Sequence, residues 1–135
     1  MMEKRMAEAG SLKVGRFIII GDEPCKIVSF EKSKAGKHGH AKVRIVAIGF
    51  FDNNKRSVVY PTDASVETPM IDKRTGQVIS KTDKSVMIMD MENYQTMEIP
   101  LSNVEEDVSS RLEVGGQVEY WNILGQRKIT RAKGA

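Results

Sequence analysis

Cysteine occurs once in these 135 residues, at Cys25. A single thiol cannot build an internal disulfide framework, and it fits a reducing, cytoplasmic setting. Within PCKIVSF, an expected strand, Cys25 reads as a small buried hydrophobe and not as a reactive group. No run of about 18 apolar residues occurs, which excludes a helical membrane span. The opening MMEKRMAEAGSLKVG mixes charges and lacks the apolar stretch of a secretory leader. Residues 1–10 are therefore expected to form a flexible tail, with Met1, Met2 or Met6 as the start. Positions 32–51 contain no acidic residue. Long helical periodicity is missing as well.

In its place stand short apolar runs rich in Val and Ile, among them RFIII, CKIVSF, KVRIVAIGFF, RSVVYP, SVETPMI, QVIS, SVMIMDM, TMEIPL, QVEYWNIL and RKITRA. KVRIVAI puts Val43, Ile45 and Ala47 on one face; SVMIMDM does the same for Met87, Met89 and Met91. Period two with β-branched residues predicts strands. Breakers predict turns at Gly21-Asp22-Glu23-Pro24, Asp52-Asn53-Asn54-Lys55, Thr75-Gly76 and Leu124-Gly125-Gln126. NVEEDVSSRL, residues 103–112, is the one candidate helical turn, with Asn103 as its cap. The result is an all-β protein of about ten short strands. A change of charge and composition near Pro69 divides it into two small barrels, residues 11–70 and 71–135. A single sandwich is the alternative.

The charge is unevenly distributed. Residues 1–69 carry 12 Lys/Arg and 8 Asp/Glu, a balance of +4; residues 70–135 carry 9 and 10, a balance of −1. Lys32, Lys34, Lys37, Lys42 and Arg44 all fall in the acid-free stretch. Its centre, KSKAGKHGHAKV, spans residues 32–43 and joins two expected strands. A hairpin that only reversed the chain would need two to five turn residues. Focused positive charge of this kind is the footprint of a polyanion contact. The plain alternative is a solvated basic loop.

Several chemistries can be set aside. A phosphate-cradling P-loop needs a first glycine where Glu31 stands and Ser or Thr where His38 stands. His38 and His40 would share a face of an extended segment, but zinc needs three or four ligands, and the loop offers no Cys or carboxylate to complete them. Lys37 as a Schiff-base nucleophile would need a desolvated pocket, the opposite of a glycine-flanked tip. No catalytic triad or supported carboxylate pair is present, so the chain reads as a non-enzyme. Lys37 remains as a group to be reached. Gly36 and Gly39 remove bulk around it and permit unusual backbone angles, so that an enzyme or a narrow cavity could take in the lysine.

SKAGKHGHAKVRIVAIGFFD resembles the hypusine loop of the translation initiation factor 5A family in its archaeal and eukaryotic form. The GKHGHAK core is highly specific. The resemblance extends over nearly the whole chain after Ser11, through MDMENYQTMEIP to VEYWNILGQRKI, an ending of archaeal type. Bacterial elongation factor P is similar in role, but has a third domain and a different loop. Ala35 departs from the proline frequent in archaeal relatives and bears only on loop stiffness.

The resemblance implies an N-terminal SH3-like barrel and a C-terminal OB-fold. It implies that Lys37 receives an aminobutyl group from spermidine through deoxyhypusine synthase, ending at deoxyhypusine or hypusine, with no other cofactor. It also implies binding at the ribosomal exit site, where the modified lysine reaches toward P-site tRNA. There it would promote peptide bond formation at slow sequences such as proline runs, and termination. Lys34, Gly36, His38, Gly39, His40 and Lys42 would form the RNA-binding loop around it. The expected protein is a cytoplasmic monomer. Two rivals make other predictions: a free-standing single-stranded RNA-binding module or RNA chaperone, and an adaptor whose loop docks on an acidic protein.

Overall fold

The structure is a computed structural model and describes residues 4–34 and 41–134. Two compact units divide the chain, Met1–Met70 and Ile71–Ala135.

In the first unit, β2 (Phe17–Ile20), β3 (Glu23–Ser33), β4 (Lys42–Gly49) and β5 (Lys55–Pro61) form an antiparallel meander. Alternation in β4 buries Val43, Ile45 and Ala47 completely and leaves Lys42, Arg44 and Ile48 exposed, as the period-two pattern predicts. Ile18, Cys25 and Ile27 meet them from β2 and β3. The turn between β2 and β3 holds Gly21 and Asp22 at φ 58° and 64°, the left-handed pair a two-residue hairpin requires. Asn53 supplies the same geometry between β4 and β5, at φ 59°.

Residues 4–10 of the expected tail, residues 1–10, are ordered; the first three lie outside the described residues. Lys4–Glu8 forms β1, paired along its length with β6 (Ser65–Pro69). Ala9 follows in a 3₁₀ turn and is fully buried. Backbone pairing and this buried alanine hold a segment whose charged side chains suggested solvent. The curled meander and the β1–β6 ribbon together make an SH3-like half-barrel.

The second unit is one five-stranded sheet in the order β11-β10-β7-β8-β9. Its strands are β7 (Ile71–Lys81), β8 (Ser85–Asp90), β9 (Thr96–Pro100), β10 (Gln117–Ile123) and β11 (Gln126–Gly134). A parallel bridge between Val104 and Ile129 helps to close the sheet on itself. A meander of three strands, a short helical crossing and a returning hairpin is the OB topology. The crossing is α1 (Glu106–Ser109), shorter than the expected helical turn. Asn103 does not cap it; its Nδ2 donates to the Arg127 carbonyl at 3.0 Å.

Thr75-Gly76 is not a turn either. Both residues lie inside β7, where Gly76 faces Val118 on one neighbour and Asp90 on the other. A Cβ there would come within 3.1 Å of Ile88 Cδ1, so the glycine marks close packing inside a strand. Reading it as a turn split β7 in two, while β1 went unrecognised. The observed strands number eleven among the described residues.

Candidate functional site

The acid-free stretch sits on the β3–β4 hairpin. The last ladder pair of that hairpin joins Ser33 to Lys42. Ser33 Oγ donates to the Lys42 carbonyl at 3.3 Å and closes the base of the hairpin. Next to it, the Thr62 N–H donates to the Ala41 carbonyl at 3.0 Å. Thr62 in turn accepts at its own carbonyl from the Gly10 N–H at 2.8 Å. The returning limb is thus tied through Thr62 to the 3₁₀ turn. Gly36, Lys37, His38, Gly39 and His40 lie outside the described residues. Lys34 and Lys42 are described, and they stand exposed on either side of that segment.

Below the tip the hairpin stays basic. Lys32 and Arg44 are exposed, and a shallow groove at the base is lined by Lys32, Ser33, Lys42, Arg44 and Val59, with Glu31 as its one acid. Among the described residues, none of Lys32, Lys34, Lys42 and Arg44 forms an ion pair. An unpaired cationic cluster on an extended hairpin attracts polyanions and repels other cations. Among the described residues no three His, Cys, Asp or Glu side chains gather as metal ligands, and no helix is long and apolar enough to cross a membrane.

Cys25, on β3, is fully buried, and burial pushes its thiol up from the ordinary value. A raised thiol is a poor nucleophile at neutral pH, in keeping with a structural role. Arg56 is held by both carboxylate oxygens of Asp52, at 2.8 and 3.1 Å. That contact brings the Asp52 pKa down to about 2 and fixes the turn at the far end of β4.

The second unit contains an ionic centre that reasoning from sequence missed. Asp90 is completely buried. Arg74 grips it through Nε at 2.5 Å and Nη2 at 3.1 Å. The Tyr120 hydroxyl donates to the same carboxylate. The N–H groups of Glu92 and Asn93 add two more donors, at 2.8 and 3.1 Å. The arginine above all, with these donors, holds the Asp90 carboxyl well below the usual range. Burial, then the adjacent carboxylate, pushes the Tyr120 phenol up to about 12. Such perturbation often marks chemistry. Here every acceptor is satisfied by the protein itself, and the centre shapes the β8–β9 turn. The only available signal was the alternation that puts Asp90 in phase with Val86 and Ile88.

Of the aromatic pair Tyr120-Trp121, the tyrosine faces the core and the tryptophan the surface, as strand alternation requires. Lys73 Nζ lies 4.5 Å from the Trp121 ring centroid.

Known proteins match both units. A family model described as "Translation initiation factor 5A-like, N-terminal" matches residues 3–64. One described as "Eukaryotic elongation factor 5A hypusine, DNA-binding OB fold" matches residues 70–133. Translation initiation factor 5A of Thermofilum pendens is 53% identical over 132 residues, covering 98% of this chain and 99% of the relative. That of Pyrococcus furiosus is 52% identical over 135 residues, covering 99% and 98%. The solved structure of the Methanococcus jannaschii factor superposes with a TM-score of 0.89 at 45% identity, covering 96% of this chain and 95% of its own. The chain belongs to the translation initiation factor 5A family. That family consists of translation factors with a hypusine site and an OB-fold.

Proposed function

We propose that Lys37 is the modified residue. In this reading deoxyhypusine synthase adds an aminobutyl group from spermidine to its ε-amine, leaving deoxyhypusine or its hydroxylated form, hypusine. The protein then binds the ribosome as a cytoplasmic monomer and extends the modified lysine toward the acceptor end of P-site tRNA. There it promotes peptide bond formation at slow sequences such as proline runs, and assists termination. The added group lengthens the lysine, keeps its original nitrogen cationic and supplies a second amine. A long, thin, doubly cationic arm suits a crevice walled by RNA phosphates. Its contribution is to position the tRNA end, which lowers the entropic part of the barrier without acid–base work by this chain.

The observation that carries this reading is the hairpin base. Its ladder closes at Ser33–Lys42, the pair that brackets residues 34–41 in sequence, and Lys34, Lys42 and Arg44 have no anionic partner among the described residues. Gly36 and Gly39 would give a modifying enzyme access to Lys37, while His38 and His40 would flank the arm against RNA.

A reconstituted peptide-bond assay on a proline-rich template tests it. Modified wild type should stimulate strongly; unmodified wild type and Lys37→Arg should both stay well below it. Arginine keeps the charge but cannot accept the aminobutyl group. Equal stimulation by all three proteins would reduce Lys37 to one charge among several. Nanomolar, sequence-selective binding to free RNA would instead support the rival RNA-binding module.

A further inference from the structure

We infer that the outer face of the β3–β4–β5 sheet is a second RNA contact, a track for the sugar–phosphate backbone running down from the hairpin tip. The inference rests on the ribosome reading and adds residues to it.

Strand register defines the face. Its rows across β3, β4 and β5 are Ser33–Lys42–Pro61, Glu31–Arg44–Val59, Ser29–Val46–Ser57 and Lys26–Ile48–Lys55. Successive rows lie two residues apart, so the face is roughly 20 Å long at about 3.4 Å per residue. A bulge at Val28 keeps Lys26 in phase with the outward-facing Ile48. The four cations Lys26, Lys42, Arg44 and Lys55 are all exposed. None forms an ion pair among the described residues, not even Arg44, which stands directly opposite Glu31.

The composition of the face selects its partner. Lys26 and Lys55 flank Ile48 on one face, about 9.6 Å apart at two strand spacings, so that both side chains can reach one backbone lying along β4. Ser29 and Ser57 supply hydroxyls of the kind that bind phosphate oxygens. Val59, 59% exposed, offers a flat apolar contact at the groove beside Arg44, suited to a ribose. Within β3, β4 and β5 these four rows hold no aromatic residue, and Phe17, beside Lys26 on β2, has its ring engaged edge-on with Phe50, so the track itself has no stacking platform for bases. Cations, hydroxyls and small apolar groups without aromatics fit a nucleic-acid backbone read without regard to sequence. The face also continues directly from the basic hairpin base.

The test uses full-length, unmodified protein made in a bacterium, so it does not depend on Lys37 chemistry. Binding to unfractionated tRNA is followed by fluorescence anisotropy against KCl concentration. The face triple Lys26→Gln, Arg44→Gln, Lys55→Gln is compared with the control triple Arg5→Gln, Lys84→Gln, Arg127→Gln, which removes equal charge elsewhere. At about −0.7 per single-strand phosphate contact, the face triple should flatten the log–log salt slope by about two, and the control should leave it unchanged. Matching slopes for the two triples, or a wild type without salt-dependent binding, would overturn the track. Amide shifts provide a separate readout: tRNA should perturb Ser29, Val46 and Ser57. Perturbation confined to residues 32–44 would restrict contact to the tip and refute the inference. Loss of the proline-template stimulation would leave these slopes untouched, so the two ideas fail separately.

Discussion

The sheet of the second unit and the β3–β5 face of the first use charge in opposite ways. In the second unit, several cations are satisfied within the fold: Arg74 by Asp90, Asp72 and Glu92, Lys128 by Glu105, and Arg131 by Glu119. Lys81 donates to the Leu112 carbonyl, and Lys133 to the Thr75 hydroxyl. On the β3–β5 face of the first unit, Lys26, Lys42, Arg44 and Lys55 have no such partners among the described residues. The first pattern stabilises a fold and carries little charge outward. The second contributes little to the fold and leaves a field outside it. This separates structural charge from functional charge where net charge alone, +3 for the whole chain, could not.

The contrast should appear most strongly in stability. Asp90→Ala removes a fully buried acceptor of five hydrogen bonds and deprives Arg74 of its main partner. Breaking a buried pair from one side costs about 3–5 kcal/mol, and urea denaturation should show a loss of that order in the second unit. A loss below 1 kcal/mol would mean that Asp72 and Glu92 replace it, and the comparison would weaken. Tyr120→Phe deletes one charge-assisted hydrogen bond and should cost about 1.5–3 kcal/mol.

Titration sharpens the same contrast. Asp90 is depressed below its ordinary 3.8. Its contribution is therefore complete above that value and is lost as pH falls through the lower folded value. Asp90→Asn should flatten the acid limb of the stability curve. Tyr120 is raised from 10.0 to about 12, so its contribution is full below 10.0 and disappears as pH rises toward 12. In Tyr120→Phe that part of the alkaline decline should vanish. The smallest effect belongs to the first unit: Arg44→Gln or Lys42→Gln should move the urea midpoint by no more than about 0.5 kcal/mol equivalent. A larger loss would show that these cations serve the fold after all.

Much of the fold was legible because alternation and turn chemistry are local. The two-residue left-handed turns at Gly21-Asp22 and Leu124-Gly125 announce themselves in residue type. Gly76 misled because a glycine chosen for close packing looks the same in sequence as one chosen for a turn. Lys4–Glu8 misled because β1 has four exposed residues and is held mainly by its backbone ladder to a strand some 60 positions away. The Arg74–Asp90–Tyr120 centre joins residues 16 and 30 positions apart, and no local pattern encodes that meeting. The proposed site rests on resemblance: the motif names Lys37 and its neighbours, and residues 36–40 lie outside the described residues. The outward phase of Arg44 could be read from alternation alone. The alignment of Lys26 and Lys55 across Ile48 needed the register and its bulge.

The Thr62 contacts make the hairpin mechanically lopsided. A load entering through the returning limb passes from Ala41 to Thr62, then to Gly10, and so into the β1–β6 ribbon without crossing the core. The outgoing limb is last clamped at Ser33. Thr62 is thus the fulcrum of the returning limb at the hairpin base. Gly10 is what lets the fulcrum seat, since a Cβ there would lie 2.9 Å from the Thr62 carbonyl oxygen. Gly10→Ala would loosen the lever at its root while leaving every residue of the tip unchanged.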